Sequence, residues 1–126
     1  MLRLRRVGGL VVVEARVFGP LKGRSLVLAV DTASTYSTIP AEVAGDVGLS
    51  PVPGRSVPIV NASGILRAPL AVAPAFAATG LRRDGFSLVI IDLPKGVAPV
   101  VGLLGLDFFA GRKLCFDFAA GELELL

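Results

Sequence analysis

The stretch that decides the fold is Leu26-Val27-Leu28-Ala29-Val30-Asp31-Thr32-Ala33-Ser34-Thr35. Its first half is an unbroken apolar run, which reads as a central strand buried on both faces. The run ends on a carboxylate. Carrying Asp31 out of a core strand is costly unless its charge is hydrogen-bonded or put to use. Thr32 and Ser34 set hydroxyls beside it, and Ala33 is small enough for close backbone approach. Two readings of Asp31 stand side by side: a turn former that bonds the next backbone amides, or a chemical centre.

Upstream, Leu10 to Phe18 is Val-rich and alternates loosely, as a strand does. Gly19-Pro20-Leu21-Lys22-Gly23 is a turn cluster, so this strand and Ser25 to Val30 form a hairpin that delivers the chain to Asp31. Downstream, Thr35 to Ile39 is short and extended. Pro40 then opens a helix of about two turns, with Glu42 near its start, Val43, Ala44 and Val47 at helical spacing, and Gly48 as its stop.

Strands are expected at Ser56 to Val60 and Ile65 to Val72, around a hairpin tip of turn formers, Asn61-Ala62-Ser63-Gly64. Extended chain with a proline interruption continues to Ala78. Thr79-Gly80 and Arg82-Arg83-Asp84-Gly85 read as turns, Phe86 to Asp92 as a strand, and Leu93 to Pro99 as a loop. Val100 to Leu104 is a strongly apolar strand. Asp107 to Gly111 reads as one helical turn that Asp107 caps. Arg112 to Phe118 and Glu122 to Leu126 are the last strands. Many short strands and one or two short helices define an all-β class, a sandwich or closed β-barrel.

The 126 residues suffice for one domain and not two. Apolar residues make up 53% of the chain and mean hydropathy is +0.74, which implies apolar surface buried against a partner. The net charge of +3 comes from basic residues scattered over predicted turns. With one Tyr, no Trp and no aromatic–basic interleaving, these are solvated loop charges, and no nucleic-acid partner is expected. The start, Met1 to Val13, is too short and too broken by glycines and charges for a signal peptide or a membrane span. It reads as a strand with a basic lead-in, and the cytoplasm is the default location. The single Cys115 lies in an apolar run as a small hydrophobe without an intrachain disulfide partner.

Histidine is absent. That removes Ser-His-Asp and Cys-His catalysis and most zinc and iron sites, so no metal or cofactor is expected. Acid–base chemistry falls to carboxylates, Lys, Tyr or Cys.

Taken together, Asp31-Thr32-Ala33-Ser34-Thr35 with Ile39-Pro40, Leu103-Leu104-Gly105, Leu106-Asp107-Phe108-Phe109, and the closing pair Phe116-Asp117-Phe118 and Gly121-Glu122-Leu123-Glu124-Leu125 resemble the retropepsin-like aspartic peptidases. The tip Asn61 to Gly64 falls where that family carries its flap. The resemblance implies a single retropepsin-like domain over residues 1–126, half of a homodimeric aspartic endopeptidase. Asp31 would be catalytic, and Thr32, Ala33 and Ser34 would support the active-site loop. Thr35, Asn61, Ala62, Ser63 and Gly64 would contact a peptide or protein substrate.

Hydrolysis by this route needs two carboxylates sharing a proton. The chain carries one such motif, so Asp31 would face its symmetry mate across a two-fold axis. Ile39, Ile59, Ile65, Val100 and Leu103 are candidates for apolar subsites. The motif's third position departs from the family's glycine. A negative φ at Ala33 would accommodate the methyl, whereas a positive φ would strain the loop. The alternatives are a catalytically inactive retropepsin-fold domain for dimerisation or peptide binding, and a monomeric β-barrel with Asp31 at an ordinary turn.

Overall fold

The computed structural model describes residues 2–94 and 98–126. In chain order the first elements are β1 (Leu2–Arg3), β2 (Arg5–Val7), β3 (Leu10–Phe18), β4 (Gly23–Val30), β5 (Thr38–Ile39) and α1 (Ala41–Val47). They are followed by β6 (Ser56–Asn61), β7 (Gly64–Ala78), β8 (Leu81–Ile90), β9 (Val100–Leu104), β10 (Leu114–Asp117) and β11 (Glu122–Leu125). The class is all-β with one short helix among the described residues, and none of these helical residues forms a segment long and apolar enough to cross a membrane.

β3 and β4 form the predicted antiparallel hairpin, with Val13 opposite Leu28 and Ala15 opposite Leu26. Ala15 and Val17 are buried while Glu14 and Arg16 face water, the period-two pattern of a strand with one wet face. On its other side β4 pairs in parallel with β9, matching Ala29 to Leu103 and Val30 to Leu104. The residues that follow, Asp31 and Gly105, therefore leave the sheet side by side.

The main sheet runs β5-β8-β7-β3-β4-β9, with β2 added on β3 and β6 on β7. It is not the closed barrel that the sequence suggested. Its end strands β5 and β9 meet through a side chain rather than a backbone ladder, as Leu103 N donates to Thr38 Oγ1 at 3.1 Å. β1, β11 and β10 form a separate three-stranded sheet.

β7 runs unbroken through Pro69 and Pro74, where an interruption was expected. It pairs with β6 over Gly64 to Pro69 and with β8 from Leu70 onward, so Pro69 sits at the change of partner. Pro74, which has no N–H to donate, falls in the one gap in the β7–β8 register, between Ala73 and Ala75. Arg82-Arg83-Asp84-Gly85, read as a turn, lies inside β8 because Ala75 to Ala77 hold it in register with β7.

α1 begins after Pro40 and ends at Gly48, whose φ of 85° is the left-handed cap glycine accepts readily. It buries Val43, Ala44 and Val47. Outside, Arg24 on β4 reaches Glu42 at 2.7 Å and Asp46 at 3.2 Å, and Lys22 reaches Asp46 at 2.9 Å. In the core Phe76, Phe86 and Phe108 pack as a ring trio with centroids 5.4, 5.6 and 5.8 Å apart. Such aromatic pairs add about 0.5–1.5 kcal/mol each beyond burial.

Candidate active site

Asp31 is half-buried at the mouth of β4. Its amide donates to Leu104 O at 3.0 Å, extending the β4–β9 pairing by one bond. Its carboxylate accepts from Ala33 N at 2.9 Å through Oδ1, and its carbonyl accepts from Ser34 N at 3.1 Å. The loop is thus a tight Asx-type turn that fixes one carboxylate oxygen. The turn-former reading of Asp31 describes this geometry, and the same turn fixes how the carboxylate points.

A second strip of bonds ties this loop to the segment after β9. Leu106 N donates to Ser34 O at 2.9 Å and Asp107 N to Thr35 O at 3.3 Å. Ser34 Oγ donates to Tyr36 O at 2.8 Å. Ser37 lies at the centre, with its side chain wholly buried. Ser37 N and Oγ donate to Asp107 Oδ2 and Oδ1, at 3.1 and 2.7 Å, and Ser37 Oγ accepts from Gly105 N at 2.9 Å. A Cβ on Gly105 would lie 2.6 Å from Tyr36 O and 2.8 Å from Ser34 O, so only glycine lets the two loops touch.

Asp107 is therefore not the helix cap expected. Residues 106–111 form successive turns rather than a helix, closed by Phe108 N to Gly105 O at 3.2 Å and Phe109 N to Leu106 O at 3.1 Å. Ser37 takes both oxygens of the Asp107 carboxylate. Arg83 holds the far end of these turns, donating to Phe108 O at 3.0 and 2.8 Å and to Ala110 O at 2.6 Å.

Ala33 settles the question of its φ. Among the described residues Thr79, at φ 52°, is the only non-glycine in the positive region, so Ala33 keeps an ordinary negative φ. Ala33 is also exposed, and so is Thr32, whose hydroxyl makes no hydrogen bond to the described residues.

A cleft of about 210 Å³ opens beside the loop, lined by Ala33, Ser34, Thr35 and Tyr36 on one wall and Pro58, Ile59 and Val60 of β6 on the other. Thr35 is where the sequence placed a substrate contact. Of the hairpin tip, Ala62, Ser63 and Gly64 are not in this lining. They are exposed beyond it, and the side chain of Asn61 lies outside the described residues. Ile39 and Val100 are buried core residues and cannot wall a subsite, which corrects that expectation, whereas Ile59 stands in the cleft.

Ser37 and the role of Asp107 were missed in the sequence, and so were Tyr36, Pro58 and Val60 as cleft walls. The only available signal was the offset of Asp107 just past Leu103-Leu104-Gly105. A larger groove of about 540 Å³, among Glu14, Arg16, Ser25, Thr79 and Arg82, does not include the Asp31 loop.

Asp31 thus stands at the mouth of a core strand, bonded by its own loop and braced by a glycine-containing partner loop. The profile of the aspartyl protease family matches residues 13–108, from β3 through Phe108, and the chain belongs to that family. Its fold is retropepsin-like. It is similar to the crystal structure of a retropepsin-like aspartic protease from Rickettsia conorii, with a TM-score of 0.66 and 17% identity, covering 100% of this chain and 88% of that one. No curated protein matches the chain.

Proposed function

We propose that this chain is one half of a homodimeric aspartic endopeptidase, a single domain that cuts extended peptides with apolar side chains. The observation that carries the reading is the Asp31 carboxylate, fixed through Oδ1 by Ala33 N on a loop braced against Leu104, Leu106 and Asp107. Two such loops related by a two-fold axis would bring two carboxylates together.

Close like charges cannot both ionise, so the pair holds one proton between them, and its titration belongs to the pair. The ionised member removes a proton from a water. The protonated member donates to the substrate carbonyl oxygen as the water attacks, and a tetrahedral diol forms. Collapse of the diol returns a proton to the leaving amine. No metal or cofactor takes part. Ala33 and Ser34 hold the loop within the chain, and the Thr32 hydroxyl would support it from across the two-fold axis.

Thr35 and the cleft wall of β6 would flank the substrate. β6 has β7 as its strand partner and lines the cleft, so an extended peptide can lie along it. The tip residues Asn61, Ala62, Ser63 and Gly64 would close over the peptide.

The test is Asp31→Asn against a library of apolar peptides between pH 4 and 7. Cleavage should fall at least about a hundredfold, with the sedimentation coefficient unchanged. Undiminished cleavage in the variant would overturn the reading. Binding of uncut peptide by the wild-type chain across that pH range would favour a non-catalytic peptide-binding domain.

A further inference from the structure

We infer that the free edge of β10 is where a second copy of this chain docks, by antiparallel pairing of β10 with itself about a two-fold axis at Cys115. The inference rests on the homodimer reading above and names its interface. The C-terminal strand β11 offers no full edge, because β10 takes one side and β1 pairs with Glu122 and Leu123 on the other. β1 is only 2 residues long. β10, at 4 residues, has β11 on one side and no strand on the other among the described residues.

The direction of the unpaired groups follows from the ladder. Lys113 and Leu126 exchange both main-chain bonds, at 2.9 and 2.8 Å. Bonded and non-bonded pairs alternate along antiparallel strands. With Cys115 opposite Glu124 and Asp117 opposite Glu122, Cys115 and Asp117 use their main-chain groups on β11. Leu114 and Phe116 aim theirs at the open edge. A symmetric partner must therefore meet these two residues.

Three registers do so. Centring the axis on Leu114 or on Phe116 leaves Lys113 and Asp117 without each other. Centring it on Cys115 sets Leu114 against Phe116 of the second copy, with four main-chain bonds. It also sets Lys113 against Asp117 of the second copy, twice by symmetry. Both of these side chains are exposed in the single chain and lie on one face of the sheet. Opposite charges directly across a ladder are favourable and like charges are not, so charge selects this register. Lys113–Asp117 and Cys115–Cys115 then fall at non-bonded positions, where Cα atoms approach to about 4.5 Å. That spacing is within disulfide reach.

Mild oxidation of the purified chain with copper–phenanthroline should link it into a covalent dimer through its only cysteine, and Cys115→Ser should not link. Lys113→Asp should weaken dimerisation about tenfold by sedimentation, and adding Asp117→Lys should restore it. Asp117→Asn keeps an acceptor for Ala120 N, bonded at 2.9 Å, and should still weaken the dimer about threefold. A solution dimer that neither crosslinks at Cys115 nor responds to these charge changes overturns this interface and leaves the peptidase reading standing. A monomer at every concentration overturns the homodimer reading as well, whether or not it cuts peptide.

Discussion

Ala33 stands where the family carries glycine, and its cost is set by its backbone angle. Glycine is needed only where φ is positive or a Cβ would collide. Ala33 has a negative φ and is exposed, so its methyl strains nothing within the chain. Its N–H still points at Asp31 Oδ1, which is the contribution this position makes to the acid. Restoring glycine should therefore gain no catalysis. Ala33→Gly should leave kcat within about twofold and lower stability by about 0.5–1 kcal/mol, through the added freedom of the unfolded chain. Denaturant midpoints and peptide turnover measure the two effects, and a large rise in kcat would show that the methyl obstructs the loop. Asp31 was legible in the sequence because a charge leaving an apolar run is locally conspicuous. The Ser37–Asp107 pair was not, because its partners are 70 residues apart and each looks ordinary alone. A buried hydroxyl that binds a carboxylate becomes visible only when the chain has folded back on itself.

At the scale of elements, reading succeeded where local chemistry decides. The β3–β4 hairpin follows from alternation and a Gly-Pro turn, and α1 from Pro40, its apolar stripe and Gly48. It failed where a neighbouring strand overrides local preference. Arg82 to Gly85 has turn composition but lies in β8 because β7 supplies its ladder, and β7 carries two prolines by placing each where no bond is asked of it. The anchoring of α1 on β4 has a measurable pH signature. Asp46 has its pKa held below the usual carboxylate range, first by the hydrogen bond from Lys22 and further by Arg24. Arg24 is pushed up in turn, chiefly by its bond to Glu42. A carboxyl with a lowered folded pKa contributes stability above its unfolded pKa and loses it as pH falls through the folded value. The stability difference between wild type and Asp46→Asn should therefore be full near neutral pH and close in the acid range, below the ordinary carboxylate pKa. Urea midpoints for both proteins across pH 2 to 7 test this, and a difference that stays constant with pH would exclude Asp46 as its source.

At the scale of the whole molecule, the apolar excess finds its place on the surface. Val60, Ile65, Leu66 and Phe118 are exposed at 76, 74, 49 and 64%, around the hairpin beside the cleft and at the end of β10. Such surfaces suit a domain that packs against a partner, which the proposed two-carboxylate site would also require. The lone Asp-Thr motif implied a second chain through the family resemblance, but sequence could not say which edge that chain would use. Strand order in the small sheet is set by long-range pairing of β1 with β11, which no local pattern encodes. If the active unit is a pair of chains with one Asp31 each, activity counts intact pairs rather than intact chains. Mixing wild type with Asp31→Asn at fixed total concentration, well above the dimer dissociation constant and after subunit exchange, should leave activity proportional to the square of the wild-type fraction. An equal mixture should retain about a quarter of the wild-type rate, because random pairing leaves that share of dimers with both carboxylates. A linear fall to about half would mean that each chain cuts with its own Asp31 alone. The square law survives any error about which strand forms the interface, since it depends only on two acids, one from each chain, meeting across the axis.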